Sequence, residues 1–227
     1  MPKNVLTEKN FCSPFTPSYW KAAVLELKNI RTLAVVSMLL AVSVVIGAYA
    51  RIPIPFVQNL YIMFDFLPNA LAAAIGGPVI ALIYGFAGDI ISYLMNPWGA
   101  YFPGYTLSLM LVMLVFSLFF YRRKISIWRI VVSKLLYNAF INVLLGSLWS
   151  AMQFEKGYLV YFWSSLTKNS ILFPIEVFML MIVFGAMIPP MARLRLIPQQ
   201  QTIAIPSIKK LLNKEKPDGD AESESAQ

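Results

Sequence analysis

The stretch DIISYLMNPWGAYFPG, residues 89–104, connects two long apolar runs and decides how the rest of the chain is interpreted. Asp89 lies within the first of these runs, and a hairpin rich in proline, glycine and aromatic residues leads into the second. A charged side chain in such an apolar segment is costly, and it usually faces the interior of the protein or a cavity. We therefore predict a functional site that faces a cavity around Asp89.

The composition indicates an integral membrane protein. Of its 227 residues 58% are hydrophobic and 13% are charged, and the mean hydropathy is +0.65, whereas soluble domains are roughly 45–50% apolar and about 25% charged. The net charge of +8 does not indicate nucleic-acid binding, because the basic residues are scattered at the ends of apolar runs. The single cysteine, Cys12, excludes an intrachain disulfide, and the absence of histidine argues against a metal site.

Six apolar runs approach the roughly 20 residues that a helix needs to cross a bilayer. They cover residues 32–50, 61–77, 79–95, 105–121, 127–152 and 171–188. Asp65 and Pro68 interrupt the second run, and Gly76-Gly77-Pro78 separates it from the third. We predict an all-α membrane protein with six transmembrane helices, a short interrupted second helix and aromatic-rich outer loops.

The distribution of lysine and arginine predicts the sidedness. These residues concentrate before the first run, between the fourth and fifth, and after the sixth, and cytoplasmic loops carry such an excess. Both termini are therefore predicted to be cytoplasmic. Residues 1–30 form an N-terminal segment with a short amphipathic helix at the membrane surface, residues 31–190 the six-helix substrate-binding domain, and residues 191–227 a mostly disordered tail.

Three predicted outer loops, at residues 51–64, 96–103 and 152–169, bring many aromatic residues to one side of the membrane. They form either an aromatic belt at the membrane interface or a cavity in which a flat ligand ring stacks between aromatic side chains. The acidic and basic residues predicted at the same depth in the membrane favour the cavity. Lys134, Asn138 and Asn142 are spaced four apart and share a helix face. They either hold helices together or contact a ligand, and Glu176 is one possible partner of Lys134.

The first run carries small residues at helical spacing, Ser37 with Ala41 and Ser43 with Gly47. Such pairs let another helix approach closely, either from within this chain or from a partner membrane protein. The sequence contains no GxxxxGK[ST] motif, so ATP hydrolysis by a P-loop is not expected from this chain.

Four segments together resemble the substrate-binding S components of energy-coupling factor (ECF) vitamin transporters, most closely the folate-type members. The segments are LKNIRTLAVVSMLLAVSVVI (27–46), MFDFLPNALAAAIGGPVIALIYGFAGDIISYL (63–94), NPWGAYFPGYTLS (96–108) and TKNSILFPIE (167–176). The resemblance covers residues 26–190. It implies a membrane subunit that is not an enzyme, needs no cofactor and binds one vitamin with high affinity near its outer face, with a separate transmembrane T subunit and two cytoplasmic ATPases.

For a folate, the resemblance implies a division of roles among the candidate residues. Aromatic side chains would stack on the pterin, carboxylates would accept from its amino edge, Arg51 and Lys168 would bind the glutamyl carboxylates, and asparagines would complete the polar contacts. The predicted binding residues are Arg51, Phe64, Asp65, Asp89, Tyr93, Trp98, Tyr101, Phe102, Tyr105, Asn138, Asn142, Trp149, Lys168 and Asn169.

Three alternatives remain open at this point. The ligand could be another vitamin, such as pantothenate, riboflavin or a queuosine precursor. Asp65 and Asp89 could serve an intramembrane enzyme acting on a lipid, although they lie in different runs and no denser acidic motif accompanies them. The chain could also be a structural membrane protein without a ligand, but the aromatic hairpin at residues 96–104 would then have no evident function.

Overall fold

The computed structural model describes residues 13–50, 52–53, 61–97, 100–154 and 157–198. The elements, in chain order, are helices α1 (Pro17–Glu26) and α2 (Ile30–Tyr49), strands β1 (Ile52–Pro53) and β2 (Tyr61–Ile62), helices α3 (Phe66–Met95), α4 (Pro103–Phe120) and α5 (Ile127–Leu136), a π-helical segment (Tyr137–Leu145), and helices α6 (Gly146–Phe154) and α7 (Tyr158–Arg193). Apart from the antiparallel β1–β2 pair, the regular elements are helical, which confirms the predicted all-α class.

Within these residues, five helical stretches are long and apolar enough to cross a membrane: α2, α3, α4, the continuous stretch from α5 through α6, and α7. The difference from six predicted spans arises in α3, which is broken at Gly77 with φ +74° and ψ 179°. Essentially only glycine adopts this conformation. The predicted break at Gly76-Gly77-Pro78 is therefore confirmed, and the second and third predicted spans are the two halves of α3.

Helix α3 is the centre of the bundle and packs against α1, α2, α4 and α7. Its first half is an almost continuous run of buried small residues from Ala70 to Ala74. In the second half, a side chain on Gly85 would place its Cβ 2.7 Å from the Cα of Met110, so the backbones of α3 and α4 are in close contact. The other long helices expose apolar side chains, as expected for surfaces that face lipid.

Helix α1 closes the end of the bundle where the basic residues gather. Tyr19 is fully buried, and its hydroxyl donates to the carbonyl of Ser117 at 3.1 Å. The buried carboxylate of Glu26 accepts from the Thr32 hydroxyl at 3.0 Å and pairs with Arg122 at 3.3 Å. The predicted N-terminal helix is therefore present, and it is fixed to the bundle along one face.

Three predicted boundaries are wrong. The third predicted outer loop, residues 152–169, is helical from Tyr158 onward, so Lys168 lies inside α7. Its serines and threonine lower the local hydropathy, yet the sequence has no glycine or proline between residues 158 and 173 to end a helix. The second span begins at Phe66 instead of Tyr61, because Tyr61 pairs with Pro53 in the short hairpin. The predicted tail, residues 191–227, begins too early, because α7 continues to Arg193 and Leu196 and Ile197 are buried. From residue 199 onward the tail lies outside the described residues.

Candidate functional site

A cavity of about 220 Å³ lies at the end of the bundle opposite the basic residues, where α2 ends, α3 begins and ends, and α4 begins. Its walls come from these helices and from the π-helical segment. The polar lining residues are Ser43, Asp65, Tyr84, Asp89, Ser92, Tyr105, Ser108, Tyr137 and Asn142. Ligand pockets usually measure roughly 300–1,000 Å³, so in this conformation the cavity fits one ring system better than a long ligand.

Asp65 stands at the N-terminus of α3 and is oriented by Asn69 one turn later. The Asn69 side chain donates toward an Asp65 carboxylate oxygen at 3.5 Å. Its own carbonyl oxygen accepts from the hydroxyls of Ser43 at 2.7 Å and Tyr84 at 2.8 Å. Since an ionised carboxylate only accepts hydrogen bonds, the amide nitrogen of Asn69 is the end that faces Asp65, and its oxygen is left for the two hydroxyls. We did not predict Asn69 or Tyr84, although the four-residue spacing from Asp65 to Asn69 was visible in the sequence.

Asp89 on the second half of α3 is connected to the aromatic hairpin through Thr106. The Thr106 hydroxyl donates to Asp89 at 2.6 Å and accepts from the Tyr101 hydroxyl at 2.5 Å. The Tyr101 ring packs edge-on against Tyr93, with ring centroids 5.2 Å apart. The hairpin and the carboxylate that we singled out in the sequence are therefore one hydrogen-bonded unit.

Tyr105 is the predicted aromatic residue that reaches the cavity, and two others support it from behind. The Phe102 ring lies 5.9 Å from Tyr105 and 5.6 Å from Trp149. The Trp149 indole donates to the hydroxyl of Ser108, a cavity residue, at 2.9 Å. These contacts hold the start of α4, which carries Tyr105, against α6.

A column of polar side chains crosses from the α5–α6 stretch to α7. The Lys134 ammonium is fully buried and lies 3.3 Å from Glu176, which confirms the suggested pair. It also sits over the rings of Phe66 and Tyr137, at 3.7 and 4.2 Å from their centroids. From Glu176 the column continues through Asn138, Asn142 and Asn169. The predicted stripe is thus an internal network that reaches the cavity at Asn142.

The predicted binding residues divide into three groups. Asp65, Asp89, Tyr105 and Asn142 line the cavity. The other described residues of the set do not line it: Phe64, Tyr93, Tyr101, Phe102, Asn138, Trp149, Lys168 and Asn169. Arg51 and Trp98 lie outside the described residues. The lining residues that we did not predict for binding are Ser43, Tyr84, Ser92, Ser108 and Tyr137, together with apolar positions.

The four small residues predicted for a partner interface lie on different faces of α2. Ser37 and Ala41 are exposed, as an interface with another protein requires. Ser43 is buried and bonded to Asn69, and Gly47 lines the cavity. These two positions therefore belong to the cavity wall in this structure, because the α-helical period turns them inward.

Comparison with known proteins decides the family. The family described as "ECF-type riboflavin transporter, S component" matches residues 27–192. The chain belongs to this family. This S component is accordingly a multi-pass protein of the cell membrane and a subunit of a transporter, as the apolar helices also indicate.

Several relatives of this S component carry the name "Folate transporter FolT". The protein of Clostridium novyi (strain NT) is 28% identical over 160 residues, which are 70% of this chain and 90% of that protein. The protein of Leuconostoc mesenteroides subsp. mesenteroides is 31% identical over 125 residues, covering 52% of this chain and 67% of that protein. A solved structure titled "Crystal structure of FolT bound with folic acid" matches with a TM-score of 0.59 and 30% identity, over 66% of this chain and 88% of that one.

Proposed function

We propose that this S component binds folate in the cavity between α2, α3, α4 and the π-helical segment. It would deliver the vitamin across the cell membrane together with a separate transmembrane T subunit and two cytoplasmic ATPases. The observation that carries the proposal is the likeness, at 30% identity and over 88% of its length, to a FolT structure bound with folic acid. The T subunit and the ATPases follow from the family alone.

The cavity chemistry supports a pterin. Asp65 and Asp89 both line it and accept hydrogen bonds, and the pyrimidine edge of a pterin offers an amino group and ring N–H donors. Tyr105 supplies an aromatic face. The volume of about 220 Å³ suits the ring system, so the aminobenzoyl-glutamate part would extend past the cavity toward the hairpin end. Arg51 and Lys168 are our proposed partners for its carboxylates.

Riboflavin is the second candidate, because the family description names a riboflavin transporter. The two relatives named as folate transporters and the FolT structure favour folate. The two carboxylates in the cavity wall also favour folate over riboflavin. The isoalloxazine ring of riboflavin has a single N–H between two carbonyl groups, so it offers these carboxylates fewer donors than a pterin does.

We propose a binding role without catalysis. Asp65 and Asp89 lie in different apolar runs, but the fold brings both to one cavity. Membership of a transporter family supports binding over turnover. Recovery of the ligand chemically unchanged after long incubation, checked by mass spectrometry, is the expected result, and a converted product would contradict it.

The direct test is a titration of the detergent-purified protein with folic acid, riboflavin, pantothenate and thiamine, followed through the quenching of tryptophan fluorescence. Saturable quenching by folic acid at about one ligand per protein is expected, with none from thiamine or pantothenate. Saturation by riboflavin alone would replace the proposal with the second candidate, and no response to any of the four would refute both.

A further inference from the structure

We propose that Glu176 is a positioning residue that fixes Asn142 with its carbonyl oxygen toward the cavity. The wall formed by Asn142 then accepts hydrogen bonds and discriminates in favour of ligands with an amino edge. This inference rests on the proposed function and concerns how the same cavity selects its ligand.

The direction of the column is set at one end by Glu176. An ionised carboxylate can only accept hydrogen bonds, and one of its oxygens lies 2.9 Å from the side-chain nitrogen of Asn138. The amide nitrogen of Asn138 must therefore face Glu176, so its carbonyl oxygen faces Asn142. The amide nitrogen of Asn142 donates to that oxygen at 3.3 Å.

The other end of the column supports the same direction as long as Asn138 presents its carbonyl oxygen to Asn142. The side-chain nitrogen of Asn169 donates to the backbone carbonyl of Ser165 at 2.8 Å, and a backbone carbonyl can only accept. The carbonyl oxygen of Asn169 is left facing Asn142, whose amide nitrogen donates to it at 3.4 Å. Both N–H groups of Asn142 are thus directed at neighbouring asparagines, and its carbonyl oxygen is what remains for the cavity that it lines.

Tyr137 also lines the cavity, five positions before Asn142 on the same π-helical segment. An amide oxygen has two lone pairs, so the Asn142 oxygen can accept up to two hydrogen bonds from groups in the cavity. Lys134 holds the same carboxylate from the other side of the helix interface, because its buried ammonium lies 3.3 Å from Glu176.

The consequence is a cavity with three acceptors on its walls, Asp65, Asp89 and Asn142. A 2-aminopyrimidin-4-one edge presents adjacent N–H and NH₂ donors and can satisfy more than one of them. An imide edge, with one N–H between two carbonyl oxygens, would set its oxygens against these acceptors. Unsatisfied or opposed polar groups in a closed site are a strong source of discrimination.

The experiment compares folic acid with an analogue in which a methyl group replaces the 2-amino group of the pterin. Dissociation constants of both are measured for wild type, Glu176→Gln, Asn142→Ala and the double variant. Glu176→Gln allows the side-chain amide of Asn138 to flip and to place its amino group against that of Asn142. We therefore expect folic acid to bind about tenfold more weakly and its advantage over the analogue to shrink. The double variant should bind folic acid no more weakly than Asn142→Ala alone.

The outcomes are distinguishable from failure of the proposed function. If wild type does not bind folic acid, the proposed function is wrong and this inference is wrong with it. If wild type binds folic acid, two results would show that Glu176 does not act through Asn142 and that the inference is wrong. One is a double variant whose fold-loss in affinity is the product of the losses in Glu176→Gln and Asn142→Ala. The other is a Glu176→Gln variant that keeps the wild-type preference for folic acid over the analogue. Should Glu176→Gln fail to fold because Lys134 is left buried without its partner, the combined variant Lys134→Met/Glu176→Gln takes the place of Glu176→Gln in the same cycle.

Discussion

At the scale of single residues, Asp89 is the side chain whose removal tests the site most directly. The carboxylate of Asp89 lines the cavity and accepts from the Thr106 hydroxyl at 2.6 Å. Replacing Asp89 with alanine removes this acceptor from the cavity wall and leaves the Thr106 hydroxyl without it. Hydrogen bonds to charged groups contribute about 1.5–3 kcal/mol. We therefore expect Asp89→Ala to raise the dissociation constant for folic acid roughly ten- to hundredfold, as measured by fluorescence titration.

The control for this prediction is Ser150→Ala. That hydroxyl contacts Tyr105 at 3.4 Å but does not line the cavity, so its loss should change the dissociation constant little. Wild-type affinity in a folded Asp89→Ala variant would show that the ligand does not contact this wall.

Asn69 is predicted to matter for stability as well as for the site. Its carbonyl oxygen accepts from two hydroxyls, those of Ser43 and Tyr84, and both residues are buried. Asn69→Leu leaves both donors without that acceptor, which we expect to cost about 1–3 kcal/mol of folding free energy. Tyr84→Phe removes one donor and keeps the acceptor, so its cost should be smaller. Melting temperatures in detergent check the order, and a Tyr84→Phe variant that melts below Asn69→Leu would contradict it.

At the scale of elements, the break in α3 depends on one residue. Gly77 has a backbone conformation essentially reserved for glycine, and an added Cβ would lie 2.9 Å from the Tyr121 ring. We expect Gly77→Ala to cost about 1–3 kcal/mol and to lower the melting temperature. Gly157→Ala is the matched control, since nothing lies within 4 Å of its added Cβ. Equal melting temperatures of the two variants would mean that alanine is accommodated at position 77 without backbone strain.

The elements also show what a sequence can and cannot predict. The break at Gly76-Gly77-Pro78 was predictable because glycine and proline act on the backbone locally. The helical path from Tyr158 to Lys168 was not, because polar residues lower hydropathy without ending a helix. For the site, the carboxylates and Asn142 were identified from the cost of polar groups in apolar helices. Asn69 and Tyr84 were missed because their importance comes from side chains that meet across different helices.

At the scale of the whole molecule, the exposed face of α2 is the predicted contact with the T subunit. Ser37 and Ala41 are exposed small residues on that face. Replacing both with leucine should leave folic acid binding unchanged and reduce folate uptake severalfold in cells that also produce the T subunit and ATPases, because the added bulk prevents close helix approach. Ala186→Leu, at an exposed alanine on α7, is the control. Unchanged uptake in the α2 variant would place the partner elsewhere.

The π-helical segment gives the length of the chain, as well as its side chains, a role in the site. Between Tyr137 and Leu145 the backbone turns are wider than in an α-helix. Removing one residue there would let the wide turns tighten to α-helical ones, and the tightening would offset much of the rotation lost with the residue. Trp149 would then stay beside Phe102 and Asn138 beside Glu176, while Asn142, which lies within the segment, would leave its place in the cavity wall. A one-residue deletion would thus change the wall of the cavity and keep the two ends of this stretch in register, so gene variants that differ by a codon in this segment should be read as changes of geometry.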